Sequence, residues 1–239
     1  QNLSLIGDGL AHVSFGGVAV AIVLGATNPL WYALLFSVIA AILIHELQAR
    51  DILTGDASIA IFLTGVLALG LISLTVWGGG VTADIHSYLF GSQLLIDKEN
   101  LNWIATVCIF ALIFMAFIGP SLLACIVDPL AARVQGLPVK GIGLLFSIIT
   151  AGAVVTMVKV VGALLVTALL VTPAATAQLV GNSFRSCLLW TQFFGITSLL
   201  GGLYISSEMG AGSGSAIALF AAILFAFVAI SKTTINALS

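Results

Sequence analysis

The chain has 239 residues, of which 61% are hydrophobic and only 7% charged, and its mean hydropathy is +1.25. Soluble domains carry about 25% charged residues, so this balance excludes an ordinary soluble protein and points to an integral membrane one. A net charge of −2 offers no basic surface for nucleic acid.

A helix needs about 20 apolar residues to cross the hydrocarbon core. On that rule the sequence predicts spans at about 9–25, 29–48, 58–78, 101–126, 141–158, 160–181, 185–206 and 215–232. The runs are continuous and lack the alternation of barrel strands. The expected fold class is therefore all-α, a polytopic transmembrane helical bundle of about eight spans forming a single domain over residues 1–239. Asn28-Pro29, the run Gly78–Gly80 and the glycines around Gly210 mark turns. Glycine is frequent, with 25 residues, as expected where membrane helices approach closely. Cys108, Cys125 and Cys187 lie far apart in apolar surroundings without CxxC spacing, which reads as core packing rather than a metal site or a disulfide framework. The chain opens with Gln1 and shows no signal peptide, as expected of a chain that starts inside a longer protein.

The first span opens with "SLIGDGLAH", Ser4 to His12. Asp8 and His12, at i and i+4, share one helix face. Carboxylate and imidazole are ligand types for zinc, manganese and iron. Ionisable groups inside a membrane are costly and by default functional. The structural alternative is that Asp8 caps the helix and His12 reaches to the interface. The residues alone leave both open.

Of the seven Lys and Arg, five (Arg50, Arg133, Lys140, Arg185 and Lys232) fall on one side of an eight-span chain, and Lys98 and Lys159 on the other. The positive-inside bias then places both chain ends in the cytoplasm, with Asp84, Asp97, Glu99 and Glu208 outside. On the cytoplasmic side, "IVDPLAARVQGLPVKG", Ile126 to Gly141, is too long for a minimal turn and too polar for a span. Asp128 suits a cap, Pro129 a first helical turn, and Gly136 with Pro138 a stop. Such a segment either docks a cytosolic partner or simply connects two spans. Pro173 interrupts a later apolar run and removes a backbone hydrogen bond. Thr172 and Thr176 could offset that loss, and the bend is either static or used in gating. No G-x4-G-K-[ST] loop occurs, so the chain is not expected to hydrolyse ATP by itself.

Six segments, in order, carry a resemblance: "SLIGDGLAHVSFGGVA" at the start, "GDASIAIF" (Gly55–Phe62), "DIHSYLFGS" (Asp84–Ser92), "DPLAARVQGLPV" (Asp128–Val139), "VVGALLVTALLVTPAATA" (Val160–Ala177) and "SGSAIALFAAILF" (Ser213–Phe225). The chain resembles the permease subunits of bacterial ABC importers for zinc and manganese, the metal-ion ABC-3 permease family. It lacks the family's first hydrophobic helix and the basic residues that often precede the first segment, and His86 stands where an apolar residue is usual.

The resemblance implies a homodimeric permease of the bacterial inner membrane. Cytosolic ATPase subunits would drive it, an extracytoplasmic metal-binding protein would feed it, and membrane lipids would surround it. Asp8 and His12 match the family's metal-ligand positions. Two copies about a two-fold axis would supply two O and two N donors, enough for tetrahedral zinc or for manganese with waters. The resemblance makes residues 127–138 the coupling segment, with Asp128, Pro129, Ala132, Arg133 and Gly136 against the ATPase. No bound cofactor is implied, only the transported Zn2+ or Mn2+, zinc being the first expectation. Two other classes compete. A proton-coupled secondary transporter using Asp8 and His12 would show inverted repeats, and none is evident. A membrane metalloenzyme would need about three protein ligands and a general base. His45 and Glu46 lie at the far end of another span, and no H-E-x-x-H occurs.

Overall fold

The computed structural model describes residues 5–26, 28–77, 98–210 and 212–238. In chain order they form α1 (Ile6–Val23), α2 (Pro29–Ala49), α3 (Gly55–Trp77), α4 (Lys98–Val127), α5 (Pro129–Val134), α6 (Val139–Val161), α7 (Ala163–Val180), α8 (Phe184–Met209) and α9 (Ser213–Leu238). No strand occurs among the described residues. The eight expected spans correspond in order to α1–α4 and α6–α9, and α5 falls in the polar stretch after α4. Seven of these helices are long and apolar enough to cross a membrane, and within α7 a shorter apolar stretch covers Ala168–Val180. The motif Asp84–Ser92, the run Gly78–Gly80 and Asp97 lie outside the described residues.

Local signals set the helix ends. The Asn28 side chain accepts a hydrogen bond from the Leu30 amide, and Pro29 opens α2. Ser183 caps α8 through the Ser186 amide at 3.2 Å. Between α6 and α7 only Gly162 intervenes, at φ 85°, a conformation open to a residue without Cβ. Beyond it the chain turns back. Leu170 packs on Gly7 at the start of α1, and the Lys232 ammonium near the end of α9 donates to the Leu179 carbonyl near the end of α7 at 2.5 Å.

The organising element is α1. It touches α2, α3, α6 and α7, and most of its residues are buried. Its glycines make this possible. A Cβ on Gly16 would lie 2.6 Å from both Cγ1 and the carbonyl oxygen of Val66 on α3, and one on Gly17 would lie 2.7 Å from the Tyr32 carbonyl oxygen on α2. The small residues expected to admit a neighbouring helix thus do so within one chain. Leu10, Val13, Ile44, Ile59, Val154 and Val166 fill the central core around this helix.

Two expectations change. All three cysteines are free, but only Cys125 is buried; Cys187 is half-buried and Cys108 is exposed on the outward side of α4. Packing therefore does not account for Cys108, whose small apolar thiol is acceptable at a lipid-facing position. Pro173 sits inside a continuous α7, and the Thr176 hydroxyl donates to the Thr172 carbonyl at 2.7 Å. The carbonyl that Pro173 deprives of its donor is that of Leu169, four residues back, so Thr176 does not supply the substitute. A second internal proline, Pro120 in α4, went unremarked in the sequence.

Candidate metal path and coupling segment

Helix α1 begins after Leu5, whose side chain makes no cap, and Asp8 lies inside the first turn. Asp8 therefore lies inside the helix and not at its N-cap position. Its carboxylate Oδ1 stands 3.5 Å from His12 Nε2, one turn further on. The two side chains are 30% and 20% exposed, while the intervening Gly9, Leu10 and Ala11 are buried. The pair thus forms a half-open polar strip on the most buried helix of the bundle. His12 Nδ1, on the other side of the ring, is buried without a hydrogen-bond partner among the described residues.

Polar ties hold this part of α1 in place. The Ser37 hydroxyl of α2 donates to the Leu10 carbonyl at 3.4 Å, and the Ser14 hydroxyl donates to the Ala11 carbonyl at 2.7 Å. Among the described residues no group of three or more His, Cys, Asp or Glu comes together as a metal site. One chain therefore offers one oxygen and one nitrogen donor side by side, which is short of the ligand number of a closed zinc site or of a zinc hydrolase. Sequence reasoning missed Asp56, in the first turn of α3, whose Oδ1 is buried without a hydrogen-bond partner among the described residues. Its signal was a carboxylate opening an apolar span.

The segment expected to couple to the ATPase contains a short helix, α5. Asp128 Oδ1 accepts from the amides of Leu130 and Ala131, each at 3.0 Å, and Pro129 occupies the first turn. At the other end the Leu137 amide bonds the Ala132 carbonyl, the Gly136 amide bonds that of Arg133, and Gly136 takes φ 82°. This is the Schellman stop, which a left-handed glycine permits. The faces divide sharply. Ala132 is 1% exposed and packs with Leu122, Cys125 and Ile142, so it seats α5 on α4 and α6. The other five residues of α5 are exposed, Arg133 among them, and Leu130 at 72% and Val134 at 89% form an apolar i, i+4 pair that sequence reasoning passed over. Nearby, His45 at the end of α2 donates from Nε2 to the Lys140 carbonyl at 3.1 Å and lies against Gly143, joining α2 to the first turns of α6.

A bundle of apolar membrane-length helices defines a polytopic membrane protein, here with a partly open O/N pair on its most buried helix. The sequence profile of the ABC 3 transport family matches residues 1–232, and the chain belongs to that family. It is thus a multi-pass permease subunit of an ABC importer in the inner membrane, a transport component and not an enzyme. The chain is 32% identical over 227 residues to the "Manganese transport system membrane protein MntC" of Halalkalibacterium halodurans, covering 95% of this chain and 77% of that protein. It is 30% identical over 225 residues to the "High-affinity zinc uptake system membrane protein ZnuB" of Haemophilus influenzae, covering 94% and 85%. Among solved structures, a chain of PsaBC from Streptococcus pneumoniae in complex with Fab superposes with a TM-score of 0.81 at 32% identity, covering 95% of this chain and 81% of that one.

Proposed function

We propose that the chain carries a divalent transition metal, zinc or manganese, into the cytoplasm, with Asp8 and His12 as its transient ligands. The observation that supports this most is the half-open pair, 3.5 Å apart, on an otherwise buried helix. The names of the relatives point the same way, since both manganese and zinc systems occur among them. A carboxylate and an imidazole suit either metal, and the absence of thiolate from the pair favours release. A transport site must bind well enough to admit the ion and weakly enough to pass it on.

Two donors from one chain make an incomplete site. A second copy about a two-fold axis doubles them to N2O2, so the metal path lies between or beside two subunits. An extracytoplasmic binding protein delivers the ion, and cytosolic ATPase subunits engage α5. Uptake of radiolabelled zinc and manganese by vesicles holding the whole importer, each metal competed by the other, tests the reading and separates the two cargoes.

Coupling has its own test. The outward pair Leu130 and Val134 is the contact α5 presents, with Asp128 and Gly136 fixing the helix that carries it. The double variant Leu130→Asp, Val134→Asp is expected to recover little ATPase in pull-downs from detergent extracts. Anchor side chains at interfaces contribute about 2 kcal/mol or more each, so the loss should exceed roughly a hundredfold in affinity. Both side chains are exposed in the subunit, so the permease itself should stay folded. Undiminished ATPase recovery would remove α5 as the docking helix.

A further inference from the structure

A cleft of about 550 Å³ lies among the end of α2, the turn into α3, the last turn of α4, α5 and the first turns of α6. Its lining changes in character. Leu122 and Cys125 are buried and Phe146 is half-buried, whereas Arg133, Lys140 and Asp51 are exposed. The cleft therefore grades from apolar to charged at the cytoplasmic ends of the spans, where lipid headgroups lie. Among the described residues Arg133 and Lys140 make no ion pair within 4 Å; the Glu46 carboxylate, paired with Arg50 at 2.6 Å, lies near enough to Lys140 to feel its charge. Gln48 also lines the cleft, and its buried Nε2 has no hydrogen-bond partner among the described residues. The Nε2 atom is closed off from the cleft, so the two cations are what call for an oxyanion there.

Asp51 adds a second requirement. It is the one non-glycine residue with positive φ among the described residues, at 54°, whereas the ends of α1, α5 and α8 place glycines there. Its amide bonds the Gln48 carbonyl and the Ile52 amide bonds that of Leu47, the same stop that α5 makes with Gly136. Glycine would serve the turn with less strain, so Asp51 brings its carboxylate to this turn at a backbone cost. It faces the same cleft as the two cations and can accept from a hydrogen-bond donor.

We infer that this cleft holds the headgroup of an inner-leaflet phospholipid, its phosphate on Arg133 and Lys140, and its glycerol hydroxyl or ethanolamine ammonium on Asp51. Basic pockets between spans on the cytoplasmic side are the usual seat of phosphate headgroups. The apolar end of the cleft takes the first part of the acyl region. Because α5 forms one wall, an occupied cleft braces the coupling helix against α4 and α6. The inference uses the membrane orientation of the permease but not its cargo.

The test reads lipid retention without metal. The permease–ATPase complex is reconstituted in nanodiscs of phosphatidylcholine containing phosphatidylglycerol or phosphatidylethanolamine, and the retained lipids are counted by native mass spectrometry. Phosphatidylcholine has the phosphate but no headgroup donor, so the other two should be retained in preference. Arg133→Gln with Lys140→Gln should lower retention of all three, with an affinity loss of about thirtyfold. Asp51→Gly, which suits the turn, should abolish the preference over phosphatidylcholine and leave phosphatidylcholine retention unchanged. Equal retention of all three lipids by the unaltered complex would overturn the proposal. So would displacement of the lipid by millimolar inorganic phosphate, which would make this a free-anion site. Loss of the ATPase with lipid counts unchanged would assign the cleft to that subunit instead.

Discussion

Metal uptake is expected to fall to background in Asp8→Ala and in His12→Ala, with each variant still inserted and still bound to its ATPase. The two groups stand 3.5 Å apart on one face of α1 and are the only partly open pair of metal-ligating side chains on that helix. Each substitution removes half of the donors one chain offers. In a two-copy path it removes two donors at once, so the loss should approach that of the double variant. Asp8→Asn separates charge from shape. It keeps a side-chain oxygen but not the anion that attracts a divalent cation, so its uptake should lie far nearer the alanine variant than the parent. Both side chains are partly buried at the edge of the core, outside the cluster that α1 builds with its neighbours, and ATPase recovery should not change. Near-normal uptake of both zinc and manganese by correctly assembled Asp8→Ala and His12→Ala would end the assignment of this pair as ligands.

The spans were legible because bilayer thickness fixes a length and a composition together. The pair in α1 was legible because ionisable residues are rare in such runs. Which helix lies at the centre was not. In lipid, a core-facing and an outward-facing helix are equally apolar, so α1 and α4 read alike although one is largely buried and the other largely exposed. The periodicity that marks a buried face in a soluble helix is missing here. The capping of α5 by Asp128 and its stop at Gly136 could be read from residue types. Its facing could not, because six residues give too few turns for a pattern. Ala132 therefore looked available to a partner but turns inward, and Leu130 and Val134 were overlooked. Nor did the sequence show that Gly9, Gly16 and Gly17 serve helices of the same chain. A glycine count tells that helices come close, not which ones.

That close approach sets up the second large effect. A Cβ at Gly16 would stand 2.6 Å from the Val66 carbonyl oxygen, a backbone atom that cannot rotate away, and the reverse substitution at Gly70 would meet the Gly16 Cα at 2.9 Å. Gly16→Ala should therefore cost about 1–3 kcal/mol despite alanine's better helix propensity, and Gly16→Leu should fail to give folded protein. Gly65, on the same helix as Val66, has nothing within 4 Å of an added Cβ. Gly65→Ala should then leave stability unchanged or raise it by up to about 1 kcal/mol. Thermal unfolding of the purified permease in detergent compares the two directly, with alanine added to a membrane helix in both cases. Uptake adds a second readout. Gly16 lies one turn beyond His12, so forcing α3 off α1 displaces the helix that carries both ligands, and transport by surviving Gly16→Ala protein should drop below what its folded fraction accounts for. Equal melting of the Gly16→Ala and Gly65→Ala variants would show that α1 and α3 do not cross where the glycines meet, and the half-open setting of Asp8 and His12 would lose its support.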